Sequence, residues 1–156
     1  MYIDDFRLVE KGENCILTHW HSDHTAGLNN KFNGVVICSR KTSELLHHFH
    51  PHIEYRIVVD GRDEQINGIN IRVYDSYHLP GSIMCYFVEQ KTLYTGDYRY
   101  NVSGMCKLGD IEVDVLYYDA TFHDPNTWNI SMRDSELLFT KFKARNSACN
   151  SASLFI

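Results

Sequence analysis

A layered α/β fold with a largely mixed sheet is predicted by two observations on this 156-residue sequence. Short β-rich runs recur along the chain, many of them closed by Gly, Asn, Asp or Lys turns. Helix-periodic stretches are few and do not alternate regularly with those runs, which argues against a simple βαβ repeat. A third observation says where such a fold would do chemistry: "THWHSDHTAGL" (18–28) packs His19, His21, Asp23 and His24 into six consecutive positions.

Taken in order, the predicted strands are "YIDDF" (2–6), "CILTH" (15–19), "GVVICS" (34–39), "YRIVVD" (55–60), "INIRVY" (69–74), "SIMCYFVE" (82–89), "TLYTGD" (92–97) and "VDVLYYDA" (113–120). Their apolar runs are short and bounded, as buried strands require. "EKGEN", "NKFNG", "EQING" and "EQK" read as turns between them. "TAGLNN" (25–30) has small residues that allow a helix close behind the histidine loop. A helix is expected over "RKTSELLHHF" (40–49), with Leu45, Leu46 and Phe49 on one face. A second is expected over "SMRDSELLFTKFKA" (131–144), where Ser131 caps and Leu137, Leu138 and Phe142 pack. Residues 146–156 are small and polar, and read as a tail or a truncation segment.

Composition sets bounds. With 44% hydrophobic residues the chain can bury a core, and no run approaches the ~20 apolar residues of a membrane span. The N-terminal "MYIDDFRLVEKG" lacks a basic start and an apolar stretch, so neither secretion nor membrane insertion is expected. Five scattered cysteines, three of them (Cys15, Cys38, Cys85) in apolar runs, point to reduced core thiols in an intracellular protein. A formal charge of −5 argues against a protein that coats nucleic acid non-specifically.

The motif spacing points to a metal. In an extended segment His19 and His21 share a face, while Asp23 and His24 follow the turn and reach a neighbouring position. Imidazole and carboxylate donors suit zinc, or failing that iron or manganese. Two later strand ends supply further donors, His78 in "YHLPGSIMCYF" and Asp97 in "LYTGDYRY". His19, His21, His78 and Asp97 make one complete set. Asp23, His24 and a shared Asp97 make a second that lacks one protein ligand. The histidines of "HHFHPH" (His47, His48, His50, His52) lie at a helix end and read as a solvated terminus.

From residue 2 to residue 125 the chain resembles the metallo-β-lactamase superfamily, and within it the β-CASP nucleases of the DNA cross-link repair and Artemis type. The order "HWHSDH", "HLPGS", "LYTGDYR", "DATF" carries that resemblance. It implies an αββα sandwich, incomplete here, with residues 1–145 as the N-terminal portion of the metallo-β-lactamase domain and the β-CASP region absent. It implies zinc at two positions: His19, His21, His78 and Asp97 at one, and Asp23, His24 and the bridging Asp97 at the other. Asp4 matches a first-motif aspartate that supports the ligands, and Asp119 an acidic residue that orients a later histidine. Asp23 and Asp97 are the implied catalytic carboxylates. Leu79 and His123 stand where cysteine is usual.

Two-metal chemistry of this kind offsets charge developing at phosphorus and lowers the pKa of water, which suits phosphodiester hydrolysis. The resemblance implies a nuclear, zinc-dependent nuclease of DNA repair that acts from 5′-phosphorylated ends, with repair-complex proteins as partners. Because the chain stops before the β-CASP motifs, weak activity of these residues alone is expected. The rival readings are a non-catalytic fragment or interaction module, and a hydrolase of RNA or of a small ester.

Overall fold

The computed structural model describes residues 1–99, 101, 107–119 and 153–155. Its strands are β1 (Tyr2–Ile3), β2 (Asn14–Ile16), β3 (Val35–Cys38), β4 (Glu54–Ile57), β5 (Asp63–Ile66), β6 (Ile69–Asp75), β7 (Ile83–Phe87), β8 (Thr92–Tyr94), β9 (Val115–Tyr117) and β10 (Ser153–Phe155). Among the described residues the α-helix α1 (Arg40–Phe49) follows β3, and a short 3₁₀ turn spans Leu108–Asp110. The described strands form two sheets, as the αββα sandwich implied by the resemblance requires. The first has the order β1-β2-β3-β4 and is parallel throughout. The second has the order β10-β9-β8-β7-β6-β5, antiparallel from β5 to β8 and parallel at β9 and β10.

Alternation along the strands builds three layers of core. Cys15 and Leu17, with Val36 and Cys38, turn toward Leu46 of α1 and Phe6. Ile16 and Ile37 between them point the other way, onto Ile66, Ile71, Val73, Ile83 and Cys85 of the second sheet. The far face of that sheet carries Tyr74, Met84, Tyr86 and Leu93, covered by Leu108, Ile111 and Val113. Strands buried on both faces read as continuous apolar runs, and this is why β2, β3 and β7 are legible in the sequence.

The helix over 40–49 forms with the predicted bounds. Ser39 caps it by accepting from Thr42 N, and the last turn holds His47 and His48. Other expectations are corrected. No helix forms over 25–30. Ala26 instead bridges to Asp5, and Gly27, at φ +99, lies so close to the chain that a Cβ there would meet Arg7 N at 2.5 Å. The polar segment "DEQI" is a strand, β5, joined to β6 through a turn at Asn67–Gly68, so "EQING" is half strand and half turn. Arg72 donates to Asp63 across that hairpin at 2.5 and 2.8 Å. Ser153–Phe155 pairs through its main chain with Val115–Tyr117 as an edge strand. The expected helix over 131–144 lies outside the described residues. Among the described residues no helix is long and apolar enough to cross a membrane.

Candidate metal centre

The site forms beyond the carboxyl ends of strands in both sheets. β2 ends at Ile16, so His19 and His21 are loop residues and not strand neighbours on one face, as their spacing predicts. The loop is nevertheless fixed at its root: Leu17 N donates to Ile37 O at 2.9 Å, and Ile83 N donates to Thr18 O at 3.0 Å. His78 follows β6. Asp75 accepts from Tyr77 N at 2.7 Å, Tyr77 sits at φ +57, and the Ser82 hydroxyl donates to Leu79 O at 2.8 Å. Asp97 follows β8 and the Gly96 turn, with its carbonyl accepting from the buried Ser76 hydroxyl at 2.7 Å. Each of these turns is therefore held by hydrogen bonds within itself or to an adjoining segment.

Four side chains converge: the ligand atoms of His19, His21, His78 and Asp97 all lie within 4.8 Å of one another. His19 Nε2 is 3.0 Å from His21 Nδ1, and His78 Nε2 is 3.3 Å from that same nitrogen. Asp97 Oδ2 is 3.6 Å from His19 Nε2 and 3.5 Å from His78 Nε2. Around a four-coordinate ion with bonds of ~2.0–2.1 Å, neighbouring donors stand about 3.3 Å apart. Three imidazole nitrogens turned toward one another beside a carboxylate oxygen at these spacings match the donor arrangement around such an ion. The donor set thus fits a cation.

On the other side of Asp97, Oδ1 is 3.2 Å from His24 Nε2, and Asp23 Oδ2 is 3.5 Å from that nitrogen. Asp97 so presents one oxygen to each group. Asp23 is largely exposed, whereas His19 is fully buried. Asp4 is buried, at φ +54, a backbone position that asparagine and aspartate tolerate best. It accepts from Thr18 N at 2.8 Å, the Thr18 hydroxyl at 2.7 Å and His24 Nδ1 at 2.9 Å. Asp119 N donates to the Thr95 hydroxyl at 3.1 Å, and the residue lines a cleft with His24, Asp97, Tyr94 and Tyr117.

The cluster holds its charge unevenly. Burial, reinforced by the nearby His24, pushes His19 down to about 4. Burial also opposes charge on His24, but hydrogen bonds to Asp4 and Asp97 outweigh it and raise this imidazole to about 10. The His24 hydrogen bond in turn holds Asp97 below the usual carboxylate range. Burial lowers His78 as well.

Elsewhere, His50 caps α1 with its N–H on Leu46 O, and its ring lies 6.2 Å from that of His52. Among the described residues these histidines form no group with metal-ligand spacing. His123 lies outside the described residues. Thr18, Ser76 and Gly96 support the site and were not singled out from sequence, since a threonine, a serine or a glycine at a strand end carries no distinctive signal of its own.

No protein-family model matches the chain. It is similar to the human DNA cross-link repair 1A protein, 36% identical over 131 residues, which covers 79% of this chain and 13% of that protein. The chicken 5′ exonuclease Apollo is 35% identical over 112 residues, covering 67% of this chain and 24% of the relative. The DNA cross-link repair protein SNM1 of Arabidopsis thaliana is 32% identical over 134 residues, covering 79% and 28%. The chain therefore spans between 13% and 28% of these relatives. Among solved structures, a flavoprotein from Thermotoga maritima superposes with a TM-score of 0.55 at 17% identity, over 67% of this chain and 37% of that one. A diflavin flavoprotein fragment from Nostoc gives 0.51 at 15%, over 65% and 56%. At such identities the structural likeness speaks for the fold.

Proposed function

Because the chain belongs to the metallo-β-lactamase superfamily, on the branch of the DNA cross-link repair nucleases, we propose that it carries the zinc-holding part of a nuclear enzyme that hydrolyses DNA phosphodiesters from a 5′ end. On this reading residues 1–145 are the N-terminal portion of the metallo-β-lactamase domain. The observation that supports it most is the convergence of three imidazoles and one carboxylate at ligand spacing, beyond strand ends of both sheets.

His19, His21, His78 and Asp97 would hold one ion, and Asp23, His24 and Asp97 the other. The ions would supply Lewis acidity toward the phosphate oxygens and a more acidic water. The chain's own residues divide the remaining work. Asp97, with one oxygen toward His24 and the other toward His78, would belong to both ligand sets. Asp23, exposed beside His24, is placed to accept a hydrogen bond from an attacking water and aim it. Asp4 holds His24 from behind through Nδ1, leaving Nε2 for coordination. Asp119 lines the cleft next to Asp97 and would orient a histidine from a later part of the protein.

The test is metal analysis of the purified chain together with cleavage assays on 5′-phosphorylated single-stranded DNA and on RNA of the same sequence. Zinc uptake, release of products from the 5′ end of DNA and loss of activity with a chelator are expected. A chain that takes up no zinc, or that cuts RNA in preference to DNA, would overturn the corresponding part of the reading.

A further inference from the structure

We infer that Thr18 is a positioning residue, whose hydroxyl fixes the tautomer of His19 and joins it to Asp4, so that one carboxylate orients a histidine in each half of the site. This rests on the metal centre proposed above.

Thr18 is 1% exposed and immediately precedes His19. Its N–H donates to Asp4 Oδ1 at 2.8 Å and its hydroxyl to Asp4 Oδ2 at 2.7 Å. The same hydroxyl oxygen is 3.0 Å from His19 Nδ1. A hydroxyl has one proton to give, and a carboxylate only accepts. The hydroxyl proton is therefore committed to Asp4, and the contact with His19 must carry the ring's own proton. His19 is then Nδ1–H, with the lone pair of Nε2 facing His21 and Asp97. His24 Nδ1, 2.9 Å from Asp4 Oδ2, donates by the same logic and leaves its Nε2 toward Asp97. Asp4 thus sets His24 directly and His19 through Thr18.

The position has little latitude. Gly96, at φ +52, packs onto Thr18, and a Cβ there would stand 3.0 Å from Thr18 Oγ1 and 3.2 Å from its Cβ. The turn that delivers Asp97 is built directly against the side chain that orients His19. Thr18 O also accepts from Ile83 N at 3.0 Å, which ties the histidine loop to the second sheet. Partners behind metal-ligating histidines typically set affinity by roughly 10–100-fold.

Two variants separate this role from simple packing. Thr18→Val keeps the shape and removes the hydroxyl, and Thr18→Ser keeps the hydroxyl and removes the methyl. Nitrogen-15 NMR of histidine side chains in the metal-free chain should show His19 protonated at Nδ1 in the parent and in Thr18→Ser. In Thr18→Val the Nε2–H form should appear, and zinc affinity should fall roughly 10–100-fold, while Thr18→Ser stays within a few-fold of the parent. Nε2–H at His19 in the parent spectrum overturns the inference without any variant. So does Thr18→Ser weakening zinc as much as Thr18→Val. The spectrum needs no metal, so a chain that binds no zinc would sink the metal reading, while the spectrum alone would decide the role of Thr18.

Discussion

Asp97 is the residue on which the site turns. Its two oxygens face different histidines, so an amide in its place would offer one neutral oxygen and one N–H donor where two anionic ligands are wanted. Asp97→Asn is expected to lose zinc at both positions together with any nuclease activity, and retention of both ions would show that Asp97 does not bridge. Leu79→Cys, a change at a half-buried residue whose hydrogen bonds to the turn come from its backbone, should leave zinc binding unchanged and cost about 1 kcal/mol of stability. The thiols give a second prediction. Burial pushes Cys15 and Cys38 up to about 12 and Cys85 higher still. Their raised values contribute stability that is complete below about pH 9, the unfolded thiol's range. It is lost as pH rises toward about 12, because the unfolded chain releases protons that the folded one keeps. Alkylation at pH 8.5 followed by peptide mass mapping should leave these three cysteines unmodified in the native chain and modify them in denaturant. Rapid native labelling of any of them would contradict this burial.

At the scale of the element, α1 and the turn that carries His78 form one unit. Ser39 caps α1, and its hydroxyl donates to Gly81 O at 2.6 Å, with Thr42 Oγ1 donating to the same carbonyl at 3.2 Å. Gly81 sits at φ +95, and a Cβ there would meet Lys41 Cβ and, at 2.8 Å, Ser39 Oγ. Gly81→Ala is therefore expected to cost about 1–3 kcal/mol and to weaken zinc binding through His78. Ser39→Ala should cost only about 1 kcal/mol, the value of a cap. Denaturant midpoints for the two variants check the order, and a Gly81→Ala protein no weaker than Ser39→Ala would show that the turn tolerates a side chain. The span of the helix was readable from the sequence, but of the three apolar residues expected on its packed face only Leu46 is buried, while Leu45 and Phe49 are exposed. The absence of a helix over 25–30 was not readable, because it follows from the backbone of Phe6 and Arg7 lying against Gly27.

For the whole molecule, a metal would act as a cross-link. His19 and His21 belong to the loop after the first sheet's β2, whereas His78 and Asp97 follow β6 and β8 of the second sheet. The sheets also meet through the apolar layer around Ile16, Ile37, Val73 and Ile83, the Ile83–Thr18 main-chain bond and the Arg56–Glu64 ion pair. An ion bound at 100 times its Kd stabilises the folded state by ~2.7 kcal/mol, so zinc should raise Tm by roughly 5–10 °C for a chain of this size. Thermal melts with zinc and with chelator test this, using Asp97→Asn as the variant in which the shift should vanish. An unchanged Tm in the parent chain would mean that the four donors do not join the sheets through an ion.

The sequence by itself determined the residue types and order of the donors, the strands whose two-sided burial makes them continuously apolar, and the span of α1. These features depend on local periodicity and on side-chain chemistry, both present in any short window of the chain. Only the tertiary structure decided that His19 and His21 lie beyond their strand, that "DEQI" pairs as β5, and that Thr18 stands between Asp4 and His19. Each of these depends on partners distant in the chain. His21 meets His78 across 57 positions, and Thr18 meets Asp4 across 14. Polar residues such as these gain their roles from which donors and acceptors the fold brings to them, since a buried hydroxyl or carboxylate must be satisfied by whatever lies within reach.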